Sequence, residues 1–201
     1  MKKILTTIAI LICNILFAQL PVLTTTSLAN PEDDMDNAKN GNYAMDTANE
    51  RNQYVGTWEY NQNGILFQLK LDKVDQVINK IEYNGVVSSY NYFDKVILRY
   101  RLVKNGVELF NNLNVDITTI NYVSTWGVKQ ASDDYMYGRL LDHTRNAIGY
   151  YTIKRLSTIP SKIIFDLQRF NYTLGNAPSY YQDGQPLFSM PMGGIEMVKI
   201  N

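Results

Sequence analysis

The chain has 201 residues, one domain's worth, and balances 19 Lys and Arg against 19 Asp and Glu. A net charge of zero with only 19% charged residues supplies no basic field for a phosphate backbone, which excludes nucleic acid as a partner on electrostatic grounds. At 45% hydrophobic, with 15 Tyr and 6 Pro, the composition is that of a folded, tyrosine-rich protein.

Lys2 and Lys3 precede an apolar run from Ile4 to Phe17 that ends at Ala18-Gln19. The run is too short to span a bilayer and polar sequence follows at once, so residues 1–18 read as a secretory signal peptide cut between Ala18 and Gln19. On that reading the mature chain holds no transmembrane segment and is periplasmic or extracellular. The single cysteine, Cys13, lies within the run and leaves with it, so the mature chain carries no disulfide, no Cys-ligated metal and no thiol nucleophile. With Lys2 and Lys3 also removed, 17 basic residues face 19 acidic ones, too few for a polybasic membrane anchor.

Residues 19–53 are poor in large apolar side chains and contain the cluster Pro31-Glu32-Asp33-Asp34-Met35-Asp36, the signature of a polar arm, largely extended or disordered. From residue 54 to 201 the pattern becomes that of a β domain. Ile65, Phe67, Leu69 and Leu71 alternate with polar neighbours and share one face of a half-buried strand. Lys73 to Ile81 is the best candidate for a short helix. Between Lys95 and Lys104, Val96, Leu98, Tyr100 and Leu102 again alternate, and Asn105-Gly106 then predicts a two-residue hairpin into Val107–Phe110, with Leu102 opposite Leu109 and Val103 opposite Glu108. Further strands are predicted at 54–60, 80–84, 115–124, 135–142, 147–155, 162–170 and 194–201, with a long ordered loop between Phe170 and Phe188. Many short strands with tight turns predict an all-β antiparallel barrel or sandwich.

At Tyr54-Val55-Gly56-Thr57-Trp58-Glu59-Tyr60 the first strand resembles the opening of lipocalin-like (calycin) barrels. The resemblance implies an antiparallel barrel of 8–10 strands in which Trp58, two residues after Gly56, closes one end beneath a basic side chain, here Lys199. A longer similarity joins the signal peptide, the arm ending Tyr43 to Glu50, the Tyr-Val-Gly-Thr-Trp-Glu strand, Gly138 to Asp142 and Pro191 to Ile200. It is to a family of secreted Bacteroidota proteins carrying a domain of unknown function, so it implies location and architecture and no catalytic residue. The resemblance implies Pro where this chain has His143. Asp46-Thr47-Ala48 also resembles the short O-glycosylation acceptor of Bacteroidota, which makes Thr47 a candidate glycan site.

The chemistry-bearing residues do not group into a motif. His143 is the single histidine, too few for a zinc site, and it sits in a polar turn from Asp142 to Asn146; with no Gly-x-Ser-x-Gly elbow present, a Ser-His-Asp triad has no support. Asp36, Asn40 and Gly41 fall at calcium-loop positions, but Ala38 and Thr47 occupy places that need oxygen ligands. Glu59, Glu108, Asp116, Asp142 and Asp166 would have to converge to run a glycosidase, and Glu108 and Asp166 alternate with apolar residues toward the outer face. The sequence therefore predicts no enzyme, no metal and no cofactor. Trp126, Tyr150, Tyr151, Tyr180 and Tyr181 are the candidates for ligand contact, by stacking on sugars or lining an apolar pocket, and tyrosine is equally a favoured strand residue. The expected function is non-catalytic binding by an exported monomer, with a small apolar molecule, a glycan or an envelope protein as ligand. A structural or surface-assembly part without ligand, and an envelope hydrolase using strand carboxylates, are the alternatives.

Overall fold

Alternation of apolar and polar residues sets the architecture. The computed structural model describes residues 20–28, 38–120, 125–129, 135–169, 184 and 186–201. Within them lie eleven strands: β1 (Thr24–Ser27), β2 (Asn42–Met45), β3 (Gly56–Gln62), β4 (Ile65–Tyr83), β5 (Val86–Lys104), β6 (Val107–Asn111), β7 (Thr125–Lys129), β8 (Tyr135–Asp142), β9 (Ala147–Leu156), β10 (Lys162–Arg169) and β11 (Gly193–Lys199). No helix among the described residues is long and apolar enough to cross a membrane.

The strands form one sheet in the order β1-β2-β5-β4-β3-β11-β10-β9-β8-β7, with β6 added to one end of β5. β7 also pairs β5 through Val96↔Gly127 and Ile97↔Trp126. All pairings from β3 onward are antiparallel, whereas β1 on β2 and β2 on β5 are parallel. The fold is therefore all-β, as expected, but not wholly antiparallel. The exception comes from the polar segment. β1 and β2 both belong to it and lie on the outer side of β5, so this part of the chain is built into the sheet.

Phe67, Leu69 and Leu71 are fully buried while Gln68 and Lys70 are not, so the period-two reading of β4 holds. From the same face of the sheet come Trp58, Leu98, Tyr100, Leu102, Ile153 and Phe165, all at 0% exposure. Phe67 links two of these rings, with centroid distances of 6.0 Å to Tyr100 and 5.6 Å to Phe165. The inner face of the described strands is thus lined by one cluster of buried side chains.

Several local expectations are corrected. Lys73–Ile81 is not a helix, and the strand predicted at 80–84 is not a separate one: residues 73–83 belong to the 19-residue β4, paired with β5, and Asn84 opens the turn. Cross-strand pairing overrides a weak helical pattern, and a bulge between Val74 and Val77, with Gln76 at φ 54°, absorbs the mismatch. In the Asn105-Gly106 hairpin Val103 opposes Glu108 as predicted, but a bulge moves Leu102 opposite Phe110 and leaves Leu109 39% exposed. Phe110 gains a ring contact with Tyr100 at 4.6 Å, which favours that register. Of the strand predicted at 115–124, residues 121–124 lie outside the described residues; Ile117–Thr119 is instead a 3-10 turn capped by Asp116, and β7 starts at Thr125. The predicted 170–188 loop falls mostly outside the described residues, as do Ala18 and Gln19.

Candidate functional site

Residues 135, 137, 139 and 141 on β8 lie on the opposite side from buried Met136 and Leu140, so Tyr135, Tyr137 and Arg139 belong to the outer face. On β9 the same rule separates two neighbouring candidates. Tyr150 is 37% exposed on the outer face, whereas Tyr151 is 1% exposed in the core, stacked on Phe165 at 5.8 Å. The register Tyr137↔Thr152 and Arg139↔Tyr150 brings the outer side chains of both strands together. An open concavity of about 410 Å³ results, lined by Tyr135, Tyr137, Tyr150, Tyr151 and Thr152. Arg139 lies over the Tyr150 ring at 5.6 Å, a cation–π contact that fixes the ring at the rim of the concavity.

Of the five aromatic candidates, the structure places Tyr150 and Tyr151 at this concavity from opposite sides of the sheet. The backbone of Trp126 pairs with Arg139, beside Tyr150, and its side chain lies outside the described residues, as do Tyr180 and Tyr181. Tyr135, Tyr137 and Arg139 were missed by the sequence reading. The signal for them was present in the alternation of Tyr135-Met136-Tyr137-Gly138-Arg139, with polar and aromatic residues on one parity and small or apolar ones on the other. The Tyr151 hydroxyl is buried without a hydrogen-bond partner, and burial pushes its pKa well up, so it stays a neutral phenol. Gly127 on β7 makes room for it, since a Cβ there would collide with the Tyr151 oxygen.

The Gly-x-Trp element lies on β3, in the middle of the strand order. Trp58 is fully buried and its Nε1 donates to the Tyr54 carbonyl at 2.8 Å. Lys199 Nζ stands 5.5 Å from its ring, and so does the Arg155 guanidinium, a second cation the sequence did not indicate. Gly56 adopts φ 128°, and a Cβ there would strike the Asn201 carbonyl and the Lys199 side chain. Glycine is needed at that position for both backbone and space.

The buried polar groups serve the fold. Arg51, from a 3-10 turn over Glu50–Gln53, inserts between Asp46 (Nε, 2.8 Å) and Asp94 (Nη2, 3.1 Å) and reaches Asp75 at 2.7 Å. Asp94 also accepts from the Tyr43 hydroxyl at 2.6 Å and from the Asp46 amide at 2.8 Å. Burial, followed by the Asp94 hydrogen bond, raises the Tyr43 pKa. Burial opposes the charge on Arg51, but its ion pairs overcome that and raise its pKa as well. This network ties the polar segment to the β4 bulge.

Each candidate carboxylate is engaged locally. Glu59 accepts from Gln68 at 2.8 Å, Glu108 pairs with Arg101 at 2.5 Å, and Gln168 donates to Asp166 at 2.9 Å. Asp116 caps its own turn, and the Thr118 amide lowers its pKa. Asp142 is fully buried and accepts from the Ser189 hydroxyl and the Thr144 and Arg145 amides, which pins the approach to β11 against the β8–β9 turn. No group of three or more His, Cys, Asp or Glu able to hold a metal occurs among the described residues. His143 is stacked on Phe110 at 4.4 Å and 6°, and burial lowers its pKa.

Neither a comparison with curated proteins nor one with solved structures gives a match. A model of a family of unknown function, DUF6705, matches residues 1–199, and the chain therefore belongs to that family.

Proposed function

We propose that this is an exported, non-catalytic protein on a lipocalin-like barrel that binds a glycan on the outer face of β8 and β9. The observation that carries the reading is the 410 Å³ concavity with its three outer tyrosines. Sugar rings present C–H faces to aromatic rings and hydroxyls to polar groups, and an open site with tyrosine walls, Thr152 and Arg139 offers both. A small apolar ligand needs an enclosed cavity, and the inner face is occupied by side chains such as Trp58, Phe67 and Phe165. The β5–β7 pairing supports the barrel, since it joins the ends of the antiparallel path from β5 through β4, β3, β11, β10, β9 and β8 to β7. Export to the periplasm or beyond rests on the 1–18 segment, and a Bacteroidota source on the family resemblance.

The test is calorimetric titration of the natively processed chain with a panel of neutral and acidic oligosaccharides. Binding is expected, and Tyr137→Ala and Tyr150→Ala should each weaken it by about 5–10-fold, the value of one lost stacking contact. Absence of binding across the panel, or affinity unchanged in both variants, removes the reading.

A structural or surface-assembly role is the second reading, favoured by the large side chains, Trp58, Phe67 and Phe165 among them, buried on the inner face. A covalent glycan at Thr47 belongs with either. Thr47 is exposed just after β2, with its hydroxyl 2.7 Å from that of Ser27, so a sugar there would disturb no core contact. An intact-mass measurement on natively secreted protein is expected to show added hexose-type mass on the peptide containing Thr47, and loss of it in Thr47→Ala.

A further inference from the structure

β4 and β5 continue past β3, with β2 flanking β5 as far as Tyr92, and beyond that they run on as a two-stranded ribbon. β3 covers β4 only as far as Leu71, and no strand among the described residues pairs with that edge of β4 beyond it. The ribbon ends at the Asn84-Gly85 turn and exposes apolar side chains, with Ile81 at 65%, Tyr83 at 75% and Val86 at 68%. A regular edge with exposed Ile and Tyr is a template for another strand. The bulge at this end displaces β5, where Ser88 is the extra residue, and leaves Val77 to Tyr83 of β4 regular.

We propose that two copies of this chain associate through these edges, with β4 antiparallel to the partner's β4 about a two-fold axis at Ile81. The charges select that occupant and that register. A two-fold axis perpendicular to the sheet keeps each face continuous, so it must fall on a residue and not between residues. With the axis at Ile81, each Lys80 opposes Glu82 of the partner subunit, Ile81 meets its own copy, and Tyr83 lies across from Asn79 of the partner subunit. Moving the axis by one residue sets Lys80 against Lys80 or Glu82 against Glu82, and like charges directly opposite are destabilising. Lys80 and Glu82 already form an exposed 2.6 Å pair within one chain, on the face opposite Ile81 and Tyr83. The dimer turns these two pairs into a four-charge square over one face and an Ile-Tyr cluster over the other. Seven residues per edge make a small interface, so the association is weak and reversible. It departs from the expected monomer, and it does not depend on glycan binding.

The test uses the natively processed chain in sedimentation velocity from about 1 μM to about 1 mM, the range in which a small interface exchanges. The wild type is expected to move from monomer to dimer with concentration. K80E, which leaves two acids facing two acids, and E82K, which leaves two bases facing two bases, should each raise the dissociation constant by about tenfold or more. Mixing K80E with E82K should restore the dimer, because every opposed pair is then of opposite sign, and the double variant K80E/E82K should dimerise like the wild type. All four side chains involved are solvent-exposed, so folding is not at risk. A wild type monomeric throughout, higher oligomers in place of a dimer, or a mixture that stays monomeric would overturn the proposal.

Discussion

Replacing Arg51 by Met is expected to destabilise the protein by about 3–5 kcal/mol, the cost of leaving a buried charge without its partner. The guanidinium is only 5% exposed, and the Asp46 and Asp94 side chains that it separates are 5% and 3% exposed. Its Nη1 also donates to the Lys95 carbonyl at 3.1 Å. Without it, two carboxylates approach each other in a poorly solvated space, and one of them holds the Tyr43 hydroxyl. The damage should begin where the network acts, at the attachment of β2 to β5. Urea unfolding at neutral pH would give the magnitude, and amide exchange should show residues 42–46 losing protection before β8 and β9. Asp75→Asn provides the control: its side chain is 71% exposed, so the same experiment should register no more than about 1 kcal/mol. R51M/D94N, which removes one charge of each sign, should recover part of the loss. If R51M unfolds within about 1 kcal/mol of the wild type, the network does not hold the segment.

Trp58→Ala is expected to cost about 3–5 kcal/mol, as for other large aromatic truncations in a closed core. For a chain of this size that corresponds to a fall in Tm of roughly 10 °C, readable by calorimetry. The ring is fully buried, its nitrogen satisfies the Tyr54 carbonyl, and two cations rest at 5.5 Å from it. Removing it empties a large volume and strips Arg155 and Lys199 of their shared aromatic surface. Trp58→Phe separates the effects. It retains most of the apolar volume, and loses the hydrogen bond and part of the cation–π attraction, for about 1–2 kcal/mol. Lys199→Met and Arg155→Met should each cost about 0.5–1 kcal/mol if the two cations act alike. A loss near zero in W58A would mean that the core around β3 does not depend on this residue.

The two sites differ in how they were written in the chain. The pairing of Trp58 with Lys199 was legible through the resemblance that the Gly-x-Trp spacing carries, and the structure sets Lys199 Nζ 5.5 Å from that ring. Arg51 gave no such sign. An arginine in a polar stretch looks solvated, and only the return of β5 past β2 brings Asp94 within reach across 43 residues of chain. The tyrosine concavity stands between these cases. Alternation in β8 and in β9 assigns each ring to a face, but the meeting of Tyr137 with Thr152 and of Arg139 with Tyr150 is a property of the pairing.

The sequence by itself determined what depends on neighbours in the chain. β8 spans 135–142 and β4 buries Phe67 and Leu69 because a period of two in side-chain polarity permits only one orientation against a core. Asn-Gly turns at 63–64, 84–85 and 105–106 follow from the ease with which those residues take positive φ. Tertiary structure decided the rest: that residues 73–81 extend as strand, that the polar segment joins the sheet in parallel, that a bulge sets Phe110 and not Leu109 over Tyr100, and that no described strand pairs with the edge of β4 beyond Leu71. Each of these turns on a hydrogen-bonding or packing partner distant in sequence, and the free energy of such a contact exceeds the few tenths of a kcal/mol by which local preference distinguishes one backbone state from another.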